Sequence, residues 1–246
     1  MEKIKLICQG NGKKDYKTAV FFHAWLMDQL NEQQAIAMHL SGTKPFTISV
    51  KYENSKVIFE INLLTLTASS MMHNILLDGA LNSFALNSTG QKDYFINQKQ
   101  SQVLTEKNLT DSFYNERPQR KILVDFVTPT SFKSEGQYVF YPNLRLLFQS
   151  LMRKYNYVFE GRENIDKELL KNICKNVHIK GYKLHSNHYS IHKARIPTFS
   201  GSVYLVCSGT ETLISYINVL LKFAGYAGVG IKTALGMGAV TIEWKG

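Results

Sequence analysis

The sequence predicts an α+β protein built as two like halves, and three observations predict it. Alternating apolar strands and helically spaced apolar runs follow one another in the order β-α-β-β-α-β through the first part of the chain. A break at Asn115-Glu116-Arg117-Pro118-Gln119-Arg120 interrupts that order. The same order then restarts. It is the order of a ferredoxin-like domain, so two such domains in tandem are expected, residues 1–117 and 118–246. The halves show no similarity in sequence, and the duplication is one of expected architecture alone.

In the first half, Ile4, Leu6 and Cys8 alternate with Lys3, Lys5 and Ile7 in an opening strand. Thr18 to Leu30 reads as a helix. Asn31 with Gln34 caps a second, short one, which should stop near His39 because Gly42 follows. Phe46, Ile48, Val50 and Tyr52 make a strand. After a turn at Glu53-Asn54-Ser55, Val57, Phe59, Ile61 and Leu63 return beside it. A helix at about Ser70 to Ala80 buries Met72, Ile75 and Leu76, and a weaker strand lies within Tyr94 to Leu104.

In the second half, Ile122, Val124 and Phe126 alternate, and Pro142 opens a helix burying Leu144, Leu147, Phe148, Leu151 and Tyr155. Another helix covers about Asn164 to Cys174. Strands near Val177–Tyr189 and Thr198–Cys207 form a hairpin. Leu213, Ile214, Ile217, Leu220, Leu221 and Ala224 then mark an amphipathic helix, and Val240, Ile242 and Trp244 a last short strand.

Composition narrows the function. At 44% hydrophobic residues over 246 positions, the chain can build a sizeable core. A net charge of +10 and a pI near 9.4 favour an anionic partner: RNA, DNA or an anionic membrane surface. No apolar run approaches the roughly 18 residues of a membrane span, and Met1-Glu2-Lys3-Ile4-Lys5 opens no secretory leader. Cys8, Cys174 and Cys207 are odd in number and far apart, which suggests neither a disulfide framework nor a Cys-x-x-Cys metal site. A reducing, cytoplasmic protein is expected.

Five of the sixteen glycines fall between Gly225 and Gly238. Glycine accepts positive φ and lets another backbone or a phosphate come close. Two common nucleotide loops are excluded. Ile231 separates Gly230 from Lys232-Thr233, and this loop runs from helix to strand, so it is not a P-loop. Thr233 stands where the dinucleotide fingerprint needs its third glycine.

The stretch Gly228-Val229-Gly230-Ile231-Lys232-Thr233-Ala234-Leu235-Gly236-Met237-Gly238 resembles the C-terminal glycine-rich signature of the RAMP superfamily of CRISPR-associated RNA-binding proteins. Met237 departs from the aromatic often found there. Within that superfamily the chain looks like the endoribonuclease that cleaves the repeats of the CRISPR transcript. Thr128-Pro129-Thr130-Ser131-Phe132 resembles another segment of that family, although a strand-end turn explains it equally well. The resemblance implies tandem ferredoxin-like domains, repeat RNA as partner (precursor and guide), no cofactor, and no membrane. A CRISPR effector complex or a second copy of the chain are the protein partners it allows.

RNA can be cut without metal because the ribose 2′-OH attacks the adjacent phosphate. The protein must remove one proton, supply another and steady the phosphate. Histidine suits the first two tasks and a cation the third. A lone histidine at a helix end is ordinarily structural, but His39 resembles the family histidine that precedes a segment matched here by Lys44-Pro45-Phe46-Thr47. His39 is thereby the expected catalytic residue and Lys44 the phosphate stabiliser. Relatives often supply a partner from the first helix; here that helix carries His23, a general base or a core histidine. Gly228, Gly230, Lys232, Thr233, Gly236 and Gly238 are the expected RNA-binding residues of the loop.

His185, His188 and His192 have helical metal-ligand spacing, but they fall on an expected strand with no acidic or cysteine ligand beside them. No metal is expected. With Lys193 and Arg195, His185 and His188 read better as an RNA-contacting surface. The expected activity is therefore metal-independent cleavage of repeat RNA, leaving a 2′,3′-cyclic phosphate and a 5′-hydroxyl. The alternative is a non-catalytic guide-RNA-binding subunit with the same fold, which would lack the His39–Thr47 segment. A general RNA-binding protein of RRM type fits less well, since its aromatic strand motifs are poorly matched.

Overall fold

The computed structural model describes residues 1–10, 15–40, 42–88, 90–191 and 194–246, and the side chains of all of these except 39, 40, 88 and 90–92. The chain divides into two compact units. One comprises residues 1–104 with 233–236, the other residues 105–232 with 237–246. The expected break at Asn115–Arg120 falls inside the second.

The first unit holds β1 (Glu2–Gln9), α1 (Lys17–Asp28), α2 (Glu32–Leu40), β2 (Phe46–Glu53), β3 (Lys56–Leu63), α3 (Leu66–Leu77), β4 (Ser83–Ser88) and β5 (Gly90–Val103). Its sheet is antiparallel throughout, in the order β2-β3-β1-β5-β4. Without β4 this is the ferredoxin-like order; β4 is an added edge strand that the sequence reading did not resolve. The even positions of β1 (Ile4, Leu6, Cys8) and the odd positions of β3 (Val57, Phe59, Ile61, Leu63) are buried with Phe22 and Leu26 of α1 and Met72 and Leu76 of α3. Phe22 is the centre of this cluster, 4.7 Å from the Phe59 ring and 5.2 Å from Phe84. Each such side chain contributes about 1.5–3 kcal/mol by leaving water.

Local chemistry sets the helix ends. Asn31 and Gln34 form the expected box before α2: the Gln34 amide donates to Asn31 Oδ1 at 2.9 Å, and the Asn31 amide to Gln34 Oε1 at 3.1 Å. α3 begins four residues earlier than expected, because Thr65 caps it by accepting from the Ala68 amide. Its first residue, Leu66, is exposed and so breaks no apolar pattern.

The second unit holds α4 (Glu106–Asn115), β6 (Lys121–Thr130), a small hairpin of β7 (Phe132–Ser134) and β8 (Gln137–Val139), α5 (Leu144–Glu160), α6 (Lys167–Asn176), β9 (Val177–Ile191), β10 (Ala194–Cys207), α7 (Glu211–Ala227) and β11 (Val240–Trp244). A 3-10 turn, Thr233–Leu235, belongs to the first unit. The main sheet runs β11-β6-β10-β9, all antiparallel, which is the ferredoxin-like order. Asn143, not Pro142, caps α5, accepting from the Leu146 amide at 3.0 Å. α4 packs on α7, and the segment after it is tied down: the Gln119 amide donates to Asn218 Oδ1 and Lys222 Nζ reaches Glu116 at 2.9 Å. Among the described residues, no helix is long and apolar enough to cross a membrane.

Candidate functional site

His23 lies on α1 one residue past Phe22, a rotation of about 100° that takes it from the core face toward the rim. Its half-buried ring stacks on Phe46, the first residue of β2, with centroids 5.8 Å apart and planes 24° apart. Two residues before Phe46, Lys44 Nζ donates to the carbonyl oxygen of Met38 at 3.3 Å. Met38 is buried in the last turn of α2 and precedes His39. There the ammonium meets the negative end of the helix dipole. The Leu64 amide donates to the Pro45 carbonyl at 2.8 Å, which fixes the link between Lys44 and β2. His23, Lys44 and the backbone of His39 thus occupy one corner of the first unit; the His39 side chain lies outside the described residues. The Thr233–Leu235 turn packs against β2 and α1, with Ala234 buried in the same core. Such a corner can hold a proton-transferring imidazole beside a cation.

The rest of the glycine-rich segment belongs to the second unit, and its backbone is stitched to β6 and α5. Gly228 leaves α7 at φ 59°, ψ 178°, a conformation open essentially to glycine alone. The Val229 amide donates to Gly238 O at 2.8 Å, Gly230 to Ser150 Oγ at 3.1 Å, and Ile231 to Ser131 O at 3.0 Å. From the returning side, Gly238 donates to Pro129 O at 3.0 Å and Ala239 to Thr128 Oγ1 at 2.9 Å. Gly230, at φ 74°, comes so close to Ser131 that a Cβ there would stand 2.3 Å from its carbonyl oxygen. These N–H groups are engaged within the protein. Gly230 and Gly238 serve close packing against Pro129 and Ser131, and that partnership accounts for the second segment singled out in the sequence. What this part of the loop offers outward is Lys232, exposed and held at φ 56°. Thr233 and Gly236 are buried with the first unit.

Two residues holding the loop were not legible as such. Ser150 and Lys154 stand one turn apart on α5. Lys154 is buried, and its Nζ donates to Ala227 O at 3.0 Å and Gly228 O at 3.1 Å, the carbonyls that end α7. Burial pushes its ammonium down to about 7. The available signal was a lysine in register with Leu147 and Leu151 on an otherwise apolar stripe.

His185 and His188 are exposed on β9. Three residues apart on a strand, they point to opposite faces. The pairing register puts His188 on the face of Arg195, and His185 on that of Lys183. His192 and Lys193 lie outside the described residues. Burial raises all three thiols, Cys8 to about 12 and Cys207 to about 11, which makes them poor nucleophiles.

This architecture and sequence have close counterparts. The family model for the CRISPR-associated endoribonuclease Cas6 matches residues 124–240. The CRISPR-associated endoribonuclease Cas6 of Streptococcus thermophilus is 33% identical over 225 residues, spanning 92% of this chain and 91% of the relative. That of Mycobacterium tuberculosis (strain CDC 1551 / Oshkosh) is 31% identical over 225 residues, spanning 90% of this chain and 70% of the relative. Among solved structures, a Cas6 product complex superposes with a TM-score of 0.79 at 20% identity, covering 99% of this chain and 100% of that one. Thermus thermophilus Cas6 superposes with a TM-score of 0.71 at 20% identity, covering 98% of both chains. These structural likenesses establish the tandem ferredoxin-like fold.

Proposed function

This chain belongs to the CRISPR-associated endoribonuclease Cas6 family, and from that premise we propose a residue-level account of its chemistry. It is an endoribonuclease that binds CRISPR repeat RNA and cuts it in the precursor transcript to release guide RNAs. In the proposed mechanism the ribose 2′-oxygen attacks the adjacent phosphorus as the P–O5′ bond breaks. The products are a 2′,3′-cyclic phosphate and a 5′-hydroxyl. His23 takes the 2′-OH proton. His39, at the C-terminal end of α2, gives a proton to the departing 5′-oxygen. Lys44 steadies the phosphate. No metal takes part.

The observation that carries this reading is the convergence of Lys44 Nζ on the α2 terminus beside His39, with His23 stacked on Phe46 two residues further along. Lys232 and the basic β9–β10 hairpin, through His185, His188, Lys193 and Arg195, are the proposed RNA contacts outside that corner. Gly228, Gly230, Gly236 and Gly238 act by shaping the loop, with Thr233 in its turn. The three cysteines are free thiols, which fits a reducing cytoplasm.

The test is cleavage of repeat RNA in excess EDTA, with and without a 2′-deoxy nucleotide just upstream of the scissile phosphate. Activity in EDTA and none on the deoxy substrate is expected. Cleavage of the deoxy substrate would end the mechanism, as would activity lost in EDTA and restored by a divalent ion.

A further inference from the structure

The second unit holds a cavity of about 320 Å³ that the cleavage chemistry does not use. It opens where the end of α4, the segment after it, the middle of α7 and the end of β11 come together. Its walls are fixed. Asn218 of α7 holds the Gln119 peptide from both sides: its Oδ1 accepts from the Gln119 amide at 2.6 Å, and its Nδ2 donates to the Gln119 carbonyl at 3.0 Å. That double bond sets the rim formed by Arg117, Pro118 and Gln119. Trp244 shares a face of β11 with Val240 and Ile242, β11 packs on α7, and the indole forms the facing wall.

Two polar groups at this cavity are left without protein partners. Ser215 lines it one turn before Asn218 and is 7% exposed. Its hydroxyl makes no hydrogen bond among the described residues, and an unsatisfied buried hydroxyl costs stability. Arg117 is exposed at the rim, and its guanidinium has no partner among the described residues. Glu116 differs. Lys222 Nζ reaches its Oε1 at 2.9 Å and Ser112 Oγ donates to its Oε2 at 2.8 Å. Those bonds, Lys222 first, hold its carboxyl below the usual range. A carboxylate has about four acceptor sites, so Glu116 can still accept from a ligand.

Small-molecule sites run from about 300 to 1,000 Å³, so this cavity has room for one small ligand. Its lining is too polar for an apolar side chain of a partner protein. A flat indole suits a flat ring, a free guanidinium suits a phosphate, and an ionised carboxylate suits an amino group. We propose that this cavity is a binding site for a free purine nucleoside monophosphate, with the base on Trp244, its amino-bearing edge toward Glu116, the phosphate on Arg117 and a hydroxyl of the sugar on Ser215. The proposal is independent of the cleavage reading, since no residue of the His23–His39–Lys44 corner or of the glycine segment lines the cavity.

The experiment is calorimetric titration of the full chain with 5′-GMP, 5′-AMP, 5′-UMP and inorganic phosphate. One purine nucleotide should bind per chain, with 5′-UMP and phosphate weaker by about fivefold or more. Trp244→Leu should weaken purine binding about fivefold or more, and Arg117→Gln about tenfold. Both should bind repeat RNA as wild type does. Ser215→Ala should weaken the nucleotide about two- to tenfold and yet melt no lower than wild type, because the hydroxyl it removes has no partner in the free protein. No saturable binding of 5′-GMP or 5′-AMP would overturn the proposal. So would folded Trp244→Leu and Arg117→Gln variants with wild-type affinity, which would put the nucleotide elsewhere. Equal binding of 5′-UMP would overturn the purine assignment, and a parallel loss of RNA affinity in both variants would make the cavity part of the RNA path instead. If Trp244→Leu does not fold, Arg117→Gln decides alone, since that side chain is exposed.

Discussion

The ammonium of Lys154 donates to the carbonyl oxygen of Gly228 at 3.1 Å, so a buried cation on α5 closes the end of α7 where the glycine-rich segment begins. The pairing works against itself at neutral pH. Burial disfavours the charge, whereas two carbonyl acceptors and the negative end of α7 favour it.

This yields a pH signature. The folded-state pKa is lowered to about 7, below the roughly 10.4 of a solvated lysine. Between those values the unfolded chain binds the proton and the folded chain releases it, so stability rises with pH, by up to about 1.4 kcal/mol per unit. Below about 7 both states are protonated and the cost is full and constant. Lys154→Met should remove this slope. In urea melts at pH 7 and pH 9, wild type should gain on the variant as pH rises; parallel profiles would show that Lys154 titrates normally.

Gly230 and Gly225 make a matched pair for the loop. Gly230→Ala forces a Cβ to within 2.3 Å of Ser131 O at a positive φ and should cost roughly 2 kcal/mol or more. Gly225, inside α7, has open space where its Cβ would lie, so Gly225→Ala should stabilise by about 0.5–1 kcal/mol. Thermal melts of the two variants should move in opposite directions. A neutral Gly230→Ala would mean that the loop does not need its close approach to β6.

The contrast between these positions bears on what a sequence discloses. The β2–β3 hairpin and the Asn31–Gln34 box were legible because local alternation and capping chemistry alone dictate them. α4 was not, since it is short, buries only Leu109 and Ser112, and its box uses Asn108 where Glu or Gln is usual. β4 is a short edge strand with only Phe84 and Leu86 turned into the core, β5 is a largely polar strand between it and β1, and a register shift opposite Ile7 and Cys8 blurs the alternation of β5. For the site, resemblance singled out both the glycine segment and Thr128–Ser131. That they bond to each other, with Ser150 and Lys154, is a long-range fact that no local pattern encodes.

His23 offers a test that separates proton transfer from packing. Its ring stacks on Phe46, so His23→Phe keeps an aromatic in that place while removing both nitrogens. The variant should melt within a few degrees of wild type and cut repeat RNA about 10² to 10⁴ times more slowly. Undiminished cleavage by a folded His23→Phe would make His23 a packing residue and leave the general base to be found elsewhere.

His39 and Lys44 should differ in kind, and single-turnover kinetics can separate them. General acid–base assistance contributes about 10² to 10⁴ in rate, whereas one imidazole adds little to an affinity built on many phosphate contacts. His39→Ala should therefore slow cleavage by that order with RNA affinity within a few-fold. Lys44, in its proposed role, is different because a cation at the phosphate would act in ground and transition states alike. Lys44→Ala should lose affinity as well as rate, and lose α2 some stability, since its Nζ holds the Met38 carbonyl. Lys44→Arg keeps the charge and can restore that hydrogen bond, so it should recover most of the affinity. Full activity of His39→Ala would remove His39 from the mechanism. Loss of affinity in His39→Ala equal to its loss of rate would recast it as a binding residue.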